Sequence, residues 1–305
     1  MRRSKHKRQL IQLRHMTTVC TLATINSIQD LKVFLFTLEQ FNTVKPTVYL
    51  LCDTATDNIL KEKKTIQYSG IIHSDTGLDK YNTVNRKIMV NQPGINYKTL
   101  WEDFMMEKAT VIDNAFNNGA ANVFFFDSDI CFMGPLPDVP EKIKIGVCHH
   151  MIKPADEAKY GKYNGGYIWT SDRSVTEFWR QASKTSRFYD QAALEDVVAK
   201  YKTEEVYEFP IQNNYGWWRM YQSVESFQNQ QKSWSIFRNE PVLTAGIRIN
   251  GKPLLSIHTH WLESNDIITK QFNLWTYYML LRLGKHGPAQ TICKFLSKEF
   301  PNLNN

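Results

Sequence analysis

The sequence has 305 residues, of which 42% are hydrophobic and 13% aromatic. This is enough apolar material for one large or two small domains with a buried core. The formal net charge of +7 is uneven, because residues 1–15 carry six basic residues and no acid, leaving 31 basic and 30 acidic residues elsewhere. A nearly neutral body argues less strongly for a nucleic-acid-binding protein than a basic body would.

Residues 1–15 form a basic N-terminal arm with two open interpretations. The arm either touches phosphate groups or a membrane surface, or is a solvated tail, and Met16 could instead be the functional start. No long apolar stretch follows the arm, as a secretory signal requires, and no apolar run approaches about 20 residues, the length that spans a membrane. We therefore expect a cytoplasmic protein whose contact with a membrane, if it has one, is peripheral.

The cysteines indicate the same compartment. They are odd in number and widely spaced, and most lie in apolar runs: Cys20, Cys52, Cys131, Cys148 and Cys293. This pattern predicts buried free thiols in a reducing compartment and not disulfides or zinc ligands.

The first elements predict a strand–helix–strand unit. Residues 18–23 are β-prone, residues 28–41 carry apolar side chains at helical spacing, and residues 48–52 form a second apolar strand. Such a unit favours an α/β protein with a parallel sheet. Residues 54–97 are less regular and are interpreted as a helix, a strand and a long loop.

A helix is predicted over residues 100–118, and Lys108 lies near its apolar face. A lysine in such a position most often extends to solvent. Lys108 is nevertheless a candidate for a phosphate contact, because the helix is expected to pack beside the acidic strand that follows it.

That strand, residues 123–126, is fully apolar, and Asp127 and Asp129 come directly after it. Acids at positions i and i+2 project the same way from an extended chain. Oxygen ligands of this kind suit Mg²⁺ or Mn²⁺, which usually take further ligands from a substrate phosphate. The alternative is that both acids merely cap the end of a strand.

Two later motifs are candidates for a ligand pocket. Asn164, Gly165 and Gly166 open an aromatic strand, and paired glycines let the backbone approach a ligand closely, although an ordinary turn is the simpler interpretation. Asp190 begins a predicted helix over residues 190–201, with Gln191 behind it. Asp190 could be only the N-cap of that helix, a role that Asn fills about as well.

The C-terminal part supplies a last polar motif. Residues 210–218 are rich in amide and aromatic side chains, which suits either sugar binding or a tightly packed loop. Asn250-Gly251 predicts a hairpin whose second strand ends at the histidine motif of His258 and His260. Two helices, at 266–283 and about 288–300, follow. We expect one domain over residues 16–265, with residues 266–305 packing on it as helices.

The order of these motifs resembles the GT-A nucleotide-sugar glycosyltransferases. The similarity is to glycosyltransferase family eight, of the glycogenin and lipopolysaccharide galactosyltransferase type, and covers roughly residues 17–265. It implies a Rossmann-like, mixed and mainly parallel sheet flanked by helices, with a C-terminal helical segment. Two departures stand out: Gly165 replaces the usual Ser or Ala after Asn164, and the histidine motif offers both His258 and His260.

The resemblance implies a chemistry for these residues. Asp127, Asp129 and one of the two histidines would hold Mn²⁺ or Mg²⁺ against a nucleotide-diphosphate sugar, with a UDP-sugar expected and retention at the anomeric carbon. Asp190 and Gln191 would face the transferred sugar. The remaining donor contacts would come from Thr21, Ala23, Lys108, Ser128, Asn164, Gly165 and Gly166. The acceptor would be a glycan, a lipid-linked sugar or a protein, and less readily a modified nucleic acid.

Two other classes of protein fit parts of the pattern. An apolar strand followed by two spaced aspartates also occurs in haloacid-dehalogenase-type phosphatases, where it usually lies near the N-terminus. A sugar- or nucleic-acid-binding module with an inactive site is the non-enzymatic alternative. Slow hydrolysis of a nucleotide-sugar in the presence of Mn²⁺ would exclude the module.

Overall fold

The computed structural model describes residues 17–62, 66–81, 85–220, 224–239, 242–262, 266–284 and 287–304. The basic arm predicted over residues 1–15, and the alternative start at Met16, lie outside the described residues. In the described part of the chain, no helix is both long and apolar enough to cross a membrane.

The strands of the described residues are short and are numbered in chain order. They are β1 Thr18–Ala23, β2 Thr47–Cys52, β3 Ile72–Asp75, β4 Val123–Phe126, β5 Ile130–Phe132, β6 Ile145–His149, β7 Tyr163–Thr170, β8 Val206–Phe209, β9 Tyr215–Gly216, β10 Trp234–Ile236, β11 Ile247–Ile249, β12 Lys252–Pro253 and β13 Ser256–His258.

The α-helices are numbered in the same way. They are α1 Ile28–Phe41, α2 Thr54–Lys61, α3 Arg86–Met89, α4 Leu100–Met105, α5 Glu107–Asn117, α6 Pro154–Tyr160, α7 Ser174–Ser183, α8 Tyr189–Val198, α9 Val224–Ser233, α10 Ile267–Leu283 and α11 Gly287–Glu299.

The central sheet is mixed and mainly parallel, as the sequence predicted. Its seven strands lie in the order β3-β2-β1-β4-β7-β6-β8. β7 is antiparallel to both of its neighbours, β4 and β6, whereas the other pairs in the sheet are parallel. The carboxyl ends of β1, β2 and β4 therefore meet at one edge, which is where ligands bind in open α/β sheets.

Both faces of the central sheet are buried, which explains why β4 is apolar throughout. Phe124 and Phe126 join the hydrophobic cluster that contains α1, while Val123 and Phe125 join the cluster that contains α5. Successive side chains of a strand point to opposite faces, so a strand covered on both sides reads as an uninterrupted apolar run. Each buried Phe side chain contributes about 1.5–3 kcal/mol of transfer free energy.

Two predicted elements are divided in the structure. The helix predicted over 100–118 is two helices, separated at Met106, where ψ departs from the helical value to −5°. The N–H of Met106 donates to the carbonyls of both Glu102 and Phe104. The hairpin at Asn250-Gly251 is confirmed, but its second strand, β12, is only two residues long. Pro253 has no N–H with which to extend the ladder, and β13 is a separate strand.

The C-terminal helices contact the first helix of the α/β unit. The rings of Phe36 on α1 and Phe295 on α11 are stacked, with 4.0 Å between their centroids. Nζ of Lys32 lies 3.4 Å from Oε2 of Glu299. Both phenylalanines are buried, so α11 covers the part of α1 that carries Phe36. The boundary between residues 265 and 266 stays a prediction.

We expect Phe295→Ala to lower the free energy of unfolding by about 3 kcal/mol, because it leaves a cavity against Phe36. Urea denaturation followed by fluorescence and far-UV circular dichroism measures this effect. Leu281→Ala, at a half-exposed position of α10, is the control and should change the stability by no more than about 0.5 kcal/mol. If the C-terminal helices form an independent unit, Phe295→Ala will instead separate the unfolding into two transitions and shift only the first.

Candidate active site

The two acids lie in the turn between β4 and β5. β4 ends at Phe126, and the N–H of Asp127 donates to the carbonyl of Gly166 at 2.9 Å. The N–H of Ile130 then donates to the carbonyl of Asp127 at 3.1 Å, which closes the turn. β13 pairs antiparallel with β5 and sets His258 opposite Ile130. The turn after β4 thus sets the positions of Asp127 and Asp129, whereas the pairing of β13 with β5 brings His258 close to them.

Asp127, Asp129 and His258 form the candidate metal centre. One ligand atom from each residue lies within 4.8 Å of the other two. Nε2 of His258 is 3.1 Å from Oδ1 of Asp129 and 3.8 Å from Oδ2 of Asp127. Oδ1 of Asp129 is buried and accepts no hydrogen bond from any described residue. Two carboxylates and an imidazole, with a buried oxygen left unused, fit a divalent cation.

Gly166 makes this convergence possible. A Cβ atom at position 166 would overlap Oδ2 of Asp127 and would lie 2.6 Å from Cε1 of His258. Such contacts are far inside van der Waals distance, so any larger residue must displace one of the two ligands. The sequence predicted that Gly166 lets the backbone approach a ligand; the structure shows the backbone of Gly166 close to two of the candidate metal ligands, Asp127 and His258.

Asp129 is held as a carboxylate by two histidines. Burial alone would raise its pKa, but the imidazoles of His258 and His260 outweigh burial and hold the pKa well below its ordinary value. Nδ1 of His260 lies 3.0 Å from Oδ2 of Asp129. His260 is 44% exposed, whereas the His258 side chain is 7% exposed and faces both acids. This geometry favours His258 over His260 as the third metal ligand.

Lys108 lies at the centre of the site but not at its surface. Its side chain is 2% exposed, and Nζ is 3.2 Å from Oδ1 of Asp127, 3.0 Å from Oδ2 of Asp190 and 3.1 Å from the carbonyl of Gly165. These three acceptors match the three N–H donors of an ammonium group. Burial would lower the pKa of Lys108, but the charges of Asp127 and Asp190 outweigh it and raise the pKa. The predicted phosphate contact would have to displace one of these partners.

Asp190 is not an N-cap, and that alternative is corrected by the structure. Helix α8 has Phe188 at its N-cap position, and Asp190 is the second helical residue. Oδ2 of its carboxylate lies 3.0 Å from Nζ of Lys108. Burial raises the pKa of Asp190, and the Lys108 ammonium opposes that shift. Asp190 does lie in the first turn of a helix, but its carboxylate accepts a hydrogen bond from Lys108, 82 positions away in sequence.

Gln191 contacts protein groups in this structure. Its Nε2 donates to the carbonyl of Tyr160 at 2.7 Å and lies 3.3 Å from Nδ1 of His150. Burial, helped by the charge of Arg219, lowers the pKa of His150 to about 3, so that imidazole is neutral and can accept from Gln191. A contact between Gln191 and a donor sugar stays a prediction.

The other predicted donor contacts are buried. Thr21 and Ala23, in the last half of β1, are 0% and 2% exposed, and Ser128, between the two acids, is 8% exposed. Asn164 is 5% exposed. Oδ1 of Asn164 accepts hydrogen bonds from the N–H of Gly166 and from another amide side chain. Contacts of these residues with a nucleotide-sugar stay predictions.

Two residues that contact His258, Asn214 and Trp218, are not recognisable as site residues from the sequence. Asn214 is fully buried, and its Oδ1 lies 3.2 Å from Nδ1 of His258. The ring of Trp218 packs edge-on against the His258 ring, with 5.0 Å between centroids. Both lie in the loop whose composition suggested sugar binding, but composition did not distinguish the side chains that face inward.

No family model matches this sequence, and no curated protein matches it by sequence comparison. Solved structures do match its fold. The glycosyltransferase GlyE of Streptococcus pneumoniae superposes with a TM-score of 0.51 at 13% identity, covering 94% of this chain and 64% of the other. This chain therefore spans slightly less than two thirds of the length of that GlyE chain.

The galactosyltransferase LgtC, in complex with donor and acceptor sugar analogs, superposes with a TM-score of 0.51 at 10% identity, covering 92% of this chain and 96% of the other. An active-site mutant of LgtC gives 0.50 at 13% identity, covering 85% and 95%. The chain therefore has the GT-A fold of these glycosyltransferases, and the predicted fold class is confirmed. At these identities the similarity establishes the fold alone, and the chemistry has to be argued from the site.

Gly166→Ala should weaken Mn²⁺ binding by about 10-fold or more, because the added methyl group displaces Asp127 or His258. Titration of the protein with Mn²⁺, followed by the electron paramagnetic resonance of the free ion, measures this affinity. Gly165→Ala is the matched control in the same strand, since a Cβ atom there would lie 2.7 Å from Oδ2 of Asp190 and not against the metal ligands. Gly165→Ala can reach the centre only through Lys108, so its loss of Mn²⁺ affinity should be smaller, and unchanged Mn²⁺ affinity in Gly166→Ala would contradict the proposed centre.

Proposed function

We propose that the chain is a metal-dependent glycosyltransferase that moves a sugar from a nucleotide-diphosphate sugar to an acceptor hydroxyl group. The observation that carries the proposal is the convergence of Asp127, Asp129 and His258 beyond the end of β4 in a GT-A fold. Ligands of open α/β sheets bind at this edge. A Mn²⁺ or Mg²⁺ ion is the expected cofactor, and a UDP-sugar is the expected donor.

The donor set supports the metal. Carboxylate oxygens suit Mg²⁺ and Mn²⁺, and the single imidazole nitrogen favours Mn²⁺ over Mg²⁺. When bound, such a cation supplies positive charge that stabilises the diphosphate leaving group. Asp127 and Asp129 would hold the ion, and His258 would complete the ligands that the protein supplies.

Lys108 and Asp190 support the sugar-binding half of the site. The buried ammonium binds Oδ1 of Asp127, so the other oxygen of that carboxylate is directed toward His258. The same ammonium holds Asp190 against the backbone of Gly165. A donor sugar over Gly165 and Gly166 would therefore lie between a metal-bound carboxylate and a second carboxylate of fixed orientation. This arrangement is the basis for proposing that Asp190 faces the reacting carbon, with retention as the expected outcome.

The acceptor is proposed only as a class. A glycan, a lipid-linked sugar or a protein would each offer the hydroxyl group that the reaction requires, and a modified nucleic acid is a less favoured acceptor. The described cysteines are all buried and unpaired with one another, which supports a reducing compartment and keeps the cytoplasm as the proposed location.

Asp129→Asn and Asp127→Asn should each abolish sugar transfer while the protein still folds. Each substitution removes one anionic ligand oxygen from the centre and keeps the shape of the side chain. A panel of nucleotide-sugars is first screened with Mn²⁺ by thermal shift, since a ligand at 100 times its Kd stabilises the fold by about 2.7 kcal/mol. Transfer and slow hydrolysis are then measured with the donor that binds.

Asp138→Asn, an exposed acid in the loop after β5, is the control and should transfer sugar at the wild-type rate. Near-wild-type turnover by either Asp127→Asn or Asp129→Asn, with Mn²⁺ present, would rule out the proposed function. Binding without any hydrolysis or transfer in the wild-type protein would instead identify a sugar-binding module.

Asp190→Asn should lower both stability and rate. The sequence alone predicted an unchanged melting temperature, because Asn is as good an N-cap as Asp. The buried contact with Lys108 changes this expectation, since removing one partner of a buried ion pair costs about 3 kcal/mol. If Asp190 also faces the sugar, kcat per folded molecule should fall by about 10²-fold or more.

The two effects of Asp190→Asn are separated by measuring kcat well below the melting temperature of the variant. Gln191→Ala provides the comparison, because Gln191 lies next to Asp190 but contacts Tyr160 and not Lys108; it should cause an intermediate loss of rate. If Asp190→Asn melts several degrees lower yet transfers sugar at the normal rate, Asp190 has only a structural role as the ion-pair partner of Lys108.

A further inference from the structure

A buried chain of three polar side chains leads from β7 to the metal centre. Oδ1 of Asn164 accepts from the N–H of Gly166 at 3.1 Å and from Nδ2 of Asn214 at 2.9 Å. Oδ1 of Asn214 lies 3.2 Å from Nδ1 of His258. Asn214 is 0% exposed, Asn164 5% and His258 6%, so water does not compete for these contacts.

The direction of every hydrogen bond in this chain follows from its first member. A backbone N–H can only donate, so the side-chain atom of Asn164 that faces Gly166 must be its oxygen. Because that oxygen accepts, Asn214 must present its NH₂ group to Asn164 and its carbonyl oxygen to His258. A carbonyl oxygen can only accept, so Nδ1 of His258 must carry a hydrogen.

The state of Nδ1 determines what Nε2 can do. A neutral imidazole carries one hydrogen, and with that hydrogen on Nδ1 the lone pair of Nε2 faces the carboxylates of Asp127 and Asp129. A lone pair directed at two carboxylates is unfavourable unless a cation lies between them. Oδ1 of Asp129 is buried 3.1 Å from Nε2, so a cation between the acids and the ring would meet both atoms.

We infer that Asn214 is a positioning residue for the metal centre: it fixes the tautomer of His258 and so makes Nε2 the ligand nitrogen. This inference rests on the proposed function, because it assigns a role within the same site. The partner of the second ring nitrogen commonly sets the orientation of a metal-binding histidine. Here that partner is an amide whose own orientation is imposed by Asn164 and the backbone of Gly166.

The backbone around Asn214 is held in place. The N–H of Leu255 donates to the carbonyl of Gln212 at 2.8 Å, and Oγ of Ser256 donates to the carbonyl of Asn213. These bonds tie the loop to the strand that carries His258. The amide side chain is therefore held at one distance from the ring, and substitutions at position 214 act on the tautomer more directly than on the position of β13.

The test compares three variants of the full-length protein. Asn214→Leu removes the acceptor, so His258 should move its hydrogen to Nε2 and donate to Asp129. Asn214→Asp keeps an acceptor toward Nδ1 while losing the bond to Asn164. Asn213→Leu is the matched control, because Asn213 is a buried amide in the same loop that contacts Tyr167 and not His258.

Two quantities are measured, with MnCl₂ as the probe and no donor present. The first is the Kd for Mn²⁺, which we expect to rise by about 10- to 100-fold in Asn214→Leu and to stay within a few-fold of the wild-type value in the other two variants. The second is the set of imidazole ¹⁵N chemical shifts of His258 in metal-free protein, which should report hydrogen on Nδ1 in the wild type and no hydrogen on Nδ1 in Asn214→Leu.

Wild-type Mn²⁺ affinity in Asn214→Leu, an equal loss in Asn213→Leu, or a His258 ring without hydrogen on Nδ1 in the metal-free wild type would each overturn the inference. If Asn214→Leu does not fold, the inference is still tested by the His258 ¹⁵N shifts of the wild type and by the Mn²⁺ affinity of Asn214→Asp. Failure of the proposed function looks different: the tautomer and affinity would behave as expected while no sugar is transferred.

Discussion

The buried ammonium of Lys108 is the interaction on which the site depends. A charge with 2% exposure is stable only if its hydrogen-bond donors are met, and the partners of Lys108 come from three elements: the turn after β4, strand β7 and helix α8. Because α5 carries the lysine, one side chain joins four segments that are far apart in sequence. Those segments cannot move independently without leaving a charge unpaired in the interior.

This constraint acts on the candidate metal centre through Asp127, and the amide chain through Asn214 acts on it through His258. Lys108 takes Oδ1 of Asp127, which leaves Oδ2 directed toward the ring of His258. Asn214 takes Nδ1 of that ring, which leaves Nε2 directed toward the acids. The hydrogen bonds to Oδ1 of Asp127 and Nδ1 of His258 therefore orient the other atoms of the same groups, Oδ2 and Nε2, before any cation binds.

The sequence predicts those parts of the protein whose causes are local. β4 and the acids after it are recognisable because a strand buried on both faces is uninterruptedly apolar and ends where the first charge occurs. The break at Met106 is not recognisable, since the apolar spacing continues across it. The N-cap alternative for Asp190 arose because the helix start is local in sequence, whereas its partner Lys108 lies 82 positions away. Asn214 was hidden for the same reason, because its contacts are 44 and 50 positions distant.

The reversed direction of β7 explains why its polar residues look unlike those after β4. In a parallel strand the sheet edge lies at the carboxyl end, so functional side chains follow the strand in sequence. β7 runs the other way, with Phe126 opposite Tyr167, so its first residues pass beside the acids at that edge. Residues within the strand itself therefore lie beside the acids, and side chains on either face of β7 would meet them or their neighbours. Glycine at 165 and 166 removes those side chains at the two positions where Asp190 and Asp127 come closest. The paired glycines thus leave room for both acids, and Asn164, just before them, accepts from Asn214 and so links β7 to His258.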